Sequence, residues 1–293
     1  MTDLFTGTGV ALVTPFHADG TIDFQALGRV IDHCIDGGVE YLVSIGTTGE
    51  SVTLDIDEQR SIIAYTAERI DGRVPLVAGF GGSDTRALVR HIRASDLTGV
   101  HGILSSGPSY NKPTQDGLFA HYMAVAEATS LPIILYNVPG RSAKNMTADT
   151  TLRLAHEVEH IVGIKEASGD MAQVMAIADG RPDGFKLISG DDLLTLPYLA
   201  VGFDGVISVI AQATPGPFSD MVRAGLTGDF ATARDLHYRL MPLMDALFTE
   251  NNPGGIKAAL KALDLCEEHM RLPLVPVGDG NRRAVIEALR VVG

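Results

Sequence analysis

The sequence has only two cysteines, Cys34 and Cys266, and neither belongs to a C-x-x-C pair. Two thiols cannot staple a chain of 293 residues, so a disulfide framework and a zinc–thiolate site are both excluded. No stretch approaches the ~18 uncharged apolar residues that a membrane span requires. Residues 1–6 lack a basic region followed by an apolar run, so no secretory leader is expected. Basic residues are scarce: 23 Lys and Arg stand against 36 Asp and Glu, a net charge of −13. Nucleic-acid and membrane-surface partners are therefore not expected, because both need a basic face. Low-complexity runs and short repeats are also missing. The simplest expectation is a reduced, cytoplasmic protein.

What is present is a globular composition, 45% apolar and 20% charged. The length suits two ordinary domains of about 150 residues or one α/β barrel of roughly 250 with an appendage. Short β-rich apolar runs occupy residues 9–14, 41–46, 74–79, 102–105, 133–137, 161–165, 186–190 and 205–209. Most are continuous apolar segments, as in strands covered on both faces. Helical patterns lie between them. Phe24, Leu27, Val30, Ile31 and Cys34 share one helical face, as do Ile62, Ile63, Ala67 and Ile70, and Leu118, Tyr122, Val125 and Ala126. Gly37-Gly38, Gly72 and Gly99 stand where helices stop. Eight such units predict a (β/α)8 TIM barrel over residues 1–225; a doubly wound open sheet alternates too, but rarely needs eight regular units. After residue 225 the pattern becomes helical without strands, over 230–248, 252–263 and 282–291, which predicts a C-terminal helical extension over 226–293.

In a barrel of this kind the chemistry sits where the strands end. The sixth run ends in Lys165, whose amine would lie near a dry barrel mouth. Desolvation there lowers a lysine pKa and frees a nucleophile for a carbonyl. A lysine leaving the barrel for water is the plainer alternative. Glu166 follows directly, but successive strand residues face opposite sides, so it need not neutralise the amine. Tyr136 ends the neighbouring run and could pass protons, or simply put its ring in the core. Thr47-Thr48 lies in a Gly-flanked turn able to hold a carboxylate, though an ordinary turn looks the same. Arg141, behind Pro139-Gly140, could bind a second carboxylate in bidentate fashion or remain solvated.

The segments GTTGES (46–51), YNKP (110–113), YNVPGR (136–141), GIKEASGD (163–170), SGDD (189–192) and GVISV (205–209) together resemble the dihydrodipicolinate synthase family, within the lysine-dependent aldolase and lyase superfamily. The likeness runs the whole length in order, and YNVPGR with its arginine is its more discriminating part. The resemblance implies that pyruvate forms a Schiff base with Lys165, becomes an enamine and attacks L-aspartate 4-semialdehyde. Cyclisation then gives 4-hydroxy-tetrahydrodipicolinate, on the diaminopimelate route to L-lysine, with no cofactor or metal. It further implies a proton relay of Thr47, Tyr136 and Tyr110, with Tyr110 donated across a dimer interface. Thr48 would hold the pyruvate carboxylate and Arg141 that of the semialdehyde. Gly190 and Ile207 would give backbone contacts near the Schiff base. A homotetramer, a dimer of dimers, is implied as well.

The sequence departs from lysine-inhibited members at the inhibitor cleft. Ile56 or Gln59 stands where a histidine is expected, Ala87 replaces an acid and Ser109 an aromatic. Weak or absent inhibition by lysine follows as an expectation. Other readings remain open: a lyase of sialic acid or 2-keto-3-deoxy sugar acids, which Arg141 disfavours, and a non-catalytic binding barrel, which would need a broken relay. His156-Glu157-Val158-Glu159-His160 matches H-E-x-x-H but lies before the sixth run, on the wrong side of a barrel for catalysis. Asn145-Met146-Thr147 matches the glycosylation sequon, a coincidence if, as expected, no leader takes the chain out of the cytoplasm. Gly79-Phe80-Gly81-Gly82 is too short for a dinucleotide fingerprint, and Asp191-Asp192 would repel a phosphate.

Overall fold

A computed structural model describes residues 4–292; residues 1–3 and 293, which belong to the expected leader-free start and the expected helical end, lie outside it. Its elements run β1 (Gly7–Ala11), α1 (Phe24–Asp36), β2 (Tyr41–Ser44), α2 (Ile56–Ile70), β3 (Leu76–Gly81), α3 (Thr85–Ala94), β4 (Gly102–Ser106), α4 (Gln115–Ala126), β5 (Ile133–Asn137), the single turn α5 (Pro139–Ser142), α6 (Ala148–Glu157), β6 (Ile161–Glu166), α7 (Met171–Gly180), β7 (Lys186–Ser189), α8 (Thr195–Ala200), β8 (Gly205–Ser208), α9 (Pro215–Leu226), α10 (Phe230–Phe248), α11 (Gly254–Ala262) and α12 (Asp279–Val292). The eight strands are parallel and close in sequence order, with β1 pairing β8. This is the (β/α)8 barrel with C-terminal helices that the alternation predicts. The expected division after residue 225 falls at the end of α9, and α10 packs on α9 and α12.

The apolar runs serve two cores because strand residues alternate. Inside the barrel lie Tyr41, Val43, Val77, Leu104, Ile134, Ile188 and Ile207. Their neighbours Leu42, Leu76, Ile103, Ile133, Ile164 and Val206 face the helices. Helix starts are set by side-chain caps. Asp23 accepts from Ala26 N, and Asp55 and Glu58 form a capping box at α2. The helical faces read from the sequence are the buried ones: Leu27, Val30, Ile31 and Cys34 on α1, and Leu118, Tyr122, Val125 and Ala126 on α4. Truncating one of these large side chains to alanine costs about 2–5 kcal/mol.

Two strands begin elsewhere than the apolar pattern suggests. β1 starts at Gly7 rather than residue 9, because its first residues are Gly7, Thr8 and Gly9. A Cβ on Gly9 would sit 2.2 Å from the ring of Tyr41, so glycine there makes room for the tyrosine inside the barrel. β3 starts at Leu76 rather than 74, after Pro75, which has no N–H for the ladder. Among the described residues, no helix is long and apolar enough to cross a membrane.

Candidate active site

Lys165, the last residue but one of β6, is in register with Tyr136 on β5 and Ile188 on β7. Paired residues of parallel strands project to the same side, so the amine and the phenol both enter the barrel mouth. Lys165 is 6% exposed and Tyr136 8%. The ammonium lies 4.4 Å from the centre of the Tyr136 ring, within cation–π range. Glu166 points the other way. It is fully buried and accepts from Asn137 Nδ2 at 3.0 Å, Ser168 N at 2.7 Å and Gln173 Nε2 at 3.2 Å. The carboxylate next in sequence to the lysine is therefore satisfied elsewhere, as strand alternation requires.

Gly190, just past β7, leaves the lysine its space. A Cβ there would meet Lys165 Cε at 3.2 Å, the Glu166 carbonyl at 3.1 Å and Ala167 Cβ at 2.7 Å. On the opposite side of the mouth the chain after β2 folds tightly. Gly49 N donates to the Gly46 carbonyl and Glu50 N to that of Thr47, both at 3.1 Å. Ile45 and Glu50 hold left-handed backbone at φ 49° and 54°. These departures from extended structure hold Thr47 and Thr48 over the barrel axis. Thr48 is buried, and its Oγ1 accepts from Asn252 Nδ2 at 3.0 Å.

Glu50 ends the turn and is buried with Lys257 of α11, their charges 2.6 Å apart. Lys257 Nζ also donates to the His269 carbonyl at 2.8 Å and lies 4.5 Å from the centre of the Phe16 ring. Burial draws the Lys257 pKa down, and the Glu50 charge opposes that. Removing one partner would strand a buried charge, at about 3–5 kcal/mol.

Arg141 sits on α5, a turn started by Pro139 directly after β5. The loop behind it is fastened by Asn137, which accepts from Met146 N at 3.0 Å and donates to Asn145 Oδ1 at 2.8 Å. Asn145 of the sequon is thereby occupied inside a polar network that reaches Glu166 through Gln173.

These elements enclose a cavity of about 350 Å³, lined by Thr47, Thr48, Tyr136, Arg141, Lys165 and Gly190, together with Asp191, Val209, Phe248 and Asn252. A second cavity of about 310 Å³ shares Thr47, Tyr136 and Arg141 and extends to Val52, Gly82 and Ser109. Six of the eight residues singled out in the sequence thus meet in one space. Ile207 does not line it. It is buried in the barrel core beneath, and Val209, two residues on, is the lining residue after β8. Tyr110 does not line it either. It has φ 73° and is 92% exposed, so its ring points away from this chain's own mouth.

The motif His156 to His160 does not bring its histidines together. α6 ends at Glu157, and the two imidazoles bond to different carbonyls, His156 to Gly180 and His160 to Ala126.

Three contributors escaped the sequence reading, and a fourth was read only as half of an acid pair. Phe248, Asn252 and Lys257 come from the stretches 230–248 and 252–263, which the sequence marks only as helices beyond the barrel. Asp192 is the fourth. It is 3% exposed and accepts from Ile210 N at 3.0 Å and Val209 N at 3.1 Å. Burial, only partly offset by these bonds, pushes its carboxyl up to about 6. Its signal was the doubled acid at the end of an apolar strand.

The fold and site together define a (β/α)8 barrel protein with a buried lysine and a tyrosine at the catalytic mouth and an arginine at its edge. The chain belongs to the dihydrodipicolinate synthetase family, whose profile matches residues 4–291. It is 50% identical over 275 residues to the 4-hydroxy-tetrahydrodipicolinate synthase of Flavobacterium psychrophilum, covering 94% of each chain. The crystal structure of dihydrodipicolinate synthase from Aquifex aeolicus superposes with a TM-score of 0.95 at 40% identity, covering 98% of this chain and 97% of that one. A monomeric dihydrodipicolinate synthase variant superposes equally well, at 36% identity, with 99% and 97% covered.

Proposed function

We propose that this chain is a lyase condensing pyruvate with L-aspartate 4-semialdehyde to 4-hydroxy-tetrahydrodipicolinate, on the diaminopimelate route to L-lysine. Family membership and near-full-length likeness to a synthase of that name support the reaction. The observation that carries the assignment within this chain is the buried Lys165 amine against the Tyr136 ring, in one cavity with Arg141.

The unprotonated Lys165 amine attacks the pyruvate carbonyl carbon. The resulting carbinolamine loses water to give the iminium, and a proton leaves the methyl carbon to give the enamine. Tyr136 is placed to move protons at the carbinolamine, with Thr47 beside it in the cavity. Thr48 holds the pyruvate carboxylate. Arg141, at the mouth, takes the carboxylate of the aldehyde substrate, whose carbonyl the enamine attacks. Ring closure through the semialdehyde amine expels Lys165 and returns it unmodified.

Tyr110 completes the relay of a partner subunit in this reading. Its outward, exposed placement fits a residue donated across a two-fold interface. A dimer of dimers follows as the proposed assembly. The two cysteines are free and buried, in keeping with a reducing cytoplasm. The test is substrate choice. The protein should consume L-aspartate 4-semialdehyde in a pyruvate-dependent reaction and leave sialic acid and 2-keto-3-deoxy sugar acids uncleaved. Cleavage of a sugar acid with no turnover of the semialdehyde would overturn the assignment.

A further inference from the structure

The turn that carries Thr47 and Thr48 is fastened by a part of the chain far from it in sequence. Asn252, between α10 and α11, donates from Nδ2 to Thr48 Oγ1 at 3.0 Å. Five residues on, Lys257 pairs with Glu50 at the end of the same turn, and Arg271 N donates to the second Glu50 oxygen at 3.1 Å. The turn is thus held at both ends by residues 252–271. Asn252 also lines the inner cavity beside Phe248. Among the described residues its Oδ1 is buried without a hydrogen-bond partner, so the amide engages the turn through its N–H alone.

A threonine hydroxyl has one hydrogen to give and two lone pairs to offer. Here Asn252 Nδ2 fills a lone pair of Thr48. The Thr48 hydrogen is then left for donation, and the cavity is where an acceptor can be placed. Resting on the reading of Thr48 as the holder of the pyruvate carboxylate, we propose that Asn252 is a positioning residue that fixes Thr48 as a hydrogen-bond donor to that carboxylate. An amide suits the task. It donates without titrating and puts no negative charge beside a carboxylate site. An ionised aspartate at 252 could only accept, so it would take the Thr48 hydrogen for itself and repel the substrate.

The test compares pyruvate KM and kcat, and the pyruvate dependence of borohydride trapping, in Asn252→Ala, Asn252→Asp, Thr48→Val and the Thr48→Val/Asn252→Ala double variant. Thr48→Val should raise the pyruvate KM about tenfold, as loss of a hydrogen bond to a charged group does. Asn252→Ala should raise it severalfold with kcat within about twofold, and Asn252→Asp by more than tenfold. In the Thr48→Val background, Asn252→Ala should add nothing, since its effect passes through the hydroxyl. A Thr48→Val enzyme with unchanged pyruvate KM would refute the reading of Thr48. If Thr48→Val raises KM but Asn252→Ala leaves it unchanged, or adds its full effect in the double variant, the positioning role of Asn252 is wrong. Asn252→Ser, whose shorter side chain does not reach Thr48, stands in for Asn252→Ala should that variant not fold, with the same severalfold rise in pyruvate KM expected.

Discussion

Tyr136 and Lys165 are register partners on adjacent parallel strands, and the Lys165 ammonium rests 4.4 Å from the centre of the Tyr136 ring. The ring both shields the amine from water and places a phenol near whatever forms on it. Because both residues end apolar strands buried in the barrel wall, neither can swing away without repacking Ile134 and Ile188 beside them. The pairing is fixed by the sheet rather than by loops, and the remaining cavity residues are arranged around it.

Arg141 should govern acceptor use. It is exposed at the mouth on a rigid turn after Pro139, and a guanidinium binds a carboxylate with two parallel hydrogen bonds. Arg141→Ala should lower kcat/KM for the semialdehyde by roughly 10- to 100-fold, the worth of a charge-assisted contact. Pyruvate trapping on Lys165 should change much less. Arg141→Lys should recover only part of the loss. Equal damage to both steps would mean that the turn supports the fold instead.

Gly190 should tolerate no side chain. Even alanine brings a methyl group to 3.2 Å from Lys165 Cε and 2.7 Å from Ala167 Cβ. Either the lysine or the strand end must shift. Displacements of that order cost about 100-fold in rate, and overpacking costs about 1–3 kcal/mol in stability. Gly190→Ala activity within twofold of the parent would show that the lysine has room the geometry denies it.

Asp192 should leave a mark on stability against pH. Its carboxyl is raised by burial to about 6 in the folded chain, from an ordinary 3.8. The folded state therefore binds this proton more tightly than the unfolded one. The group's stabilising contribution is complete below pH 4 and is lost as pH rises through 6, by about 3 kcal/mol for this group alone. Asp192→Asn, which cannot titrate, should show a flatter fall in denaturation midpoint between pH 4 and 6.5. Parallel curves for the two proteins would refute the shift.

Free L-lysine should inhibit weakly or not at all. The second cavity reaches Val52 and Ser109, and among its described lining residues the only charged side chain is Arg141. Lysine carries two ammonium groups and a carboxylate; the carboxylate can pair with Arg141, but neither ammonium finds an acid to pair with there. Binding no tighter than about 1 mM is expected. An initial-rate titration that saturates at submillimolar lysine would contradict this.

The barrel was legible because each strand is covered on both faces and each helix on one, so apolar runs and helical faces alternate in the sequence itself. Strand starts were less so. Gly7 and Gly9 carry no β signal: Gly9 makes way for the Tyr41 ring, and Gly7, at φ 88°, leaves room for the Glu40 carboxylate. Lys165, Tyr136, Thr47 and Arg141 could be found because each directly follows or ends a strand. Phe248, Asn252 and Lys257 could not. They reach the mouth from beyond the barrel, and their partners Thr48 and Glu50 lie about 200 residues earlier. No local pattern records a contact of that range. The side chain of Ile207 lies in the barrel core, and the lining side chain after β8 is Val209, two residues on.

The central claim is that Lys165 carries the covalent intermediate, and reductive trapping tests it most directly. Borohydride added with pyruvate should fix a reduced pyruvyl group on one residue per chain, and peptide mapping should place it on Lys165. Lys165→Ala should lose both the adduct and most of the activity, since a methyl group cannot replace the nucleophile. An adduct on Lys112 or Lys144, or none while the enzyme turns over, would contradict the account.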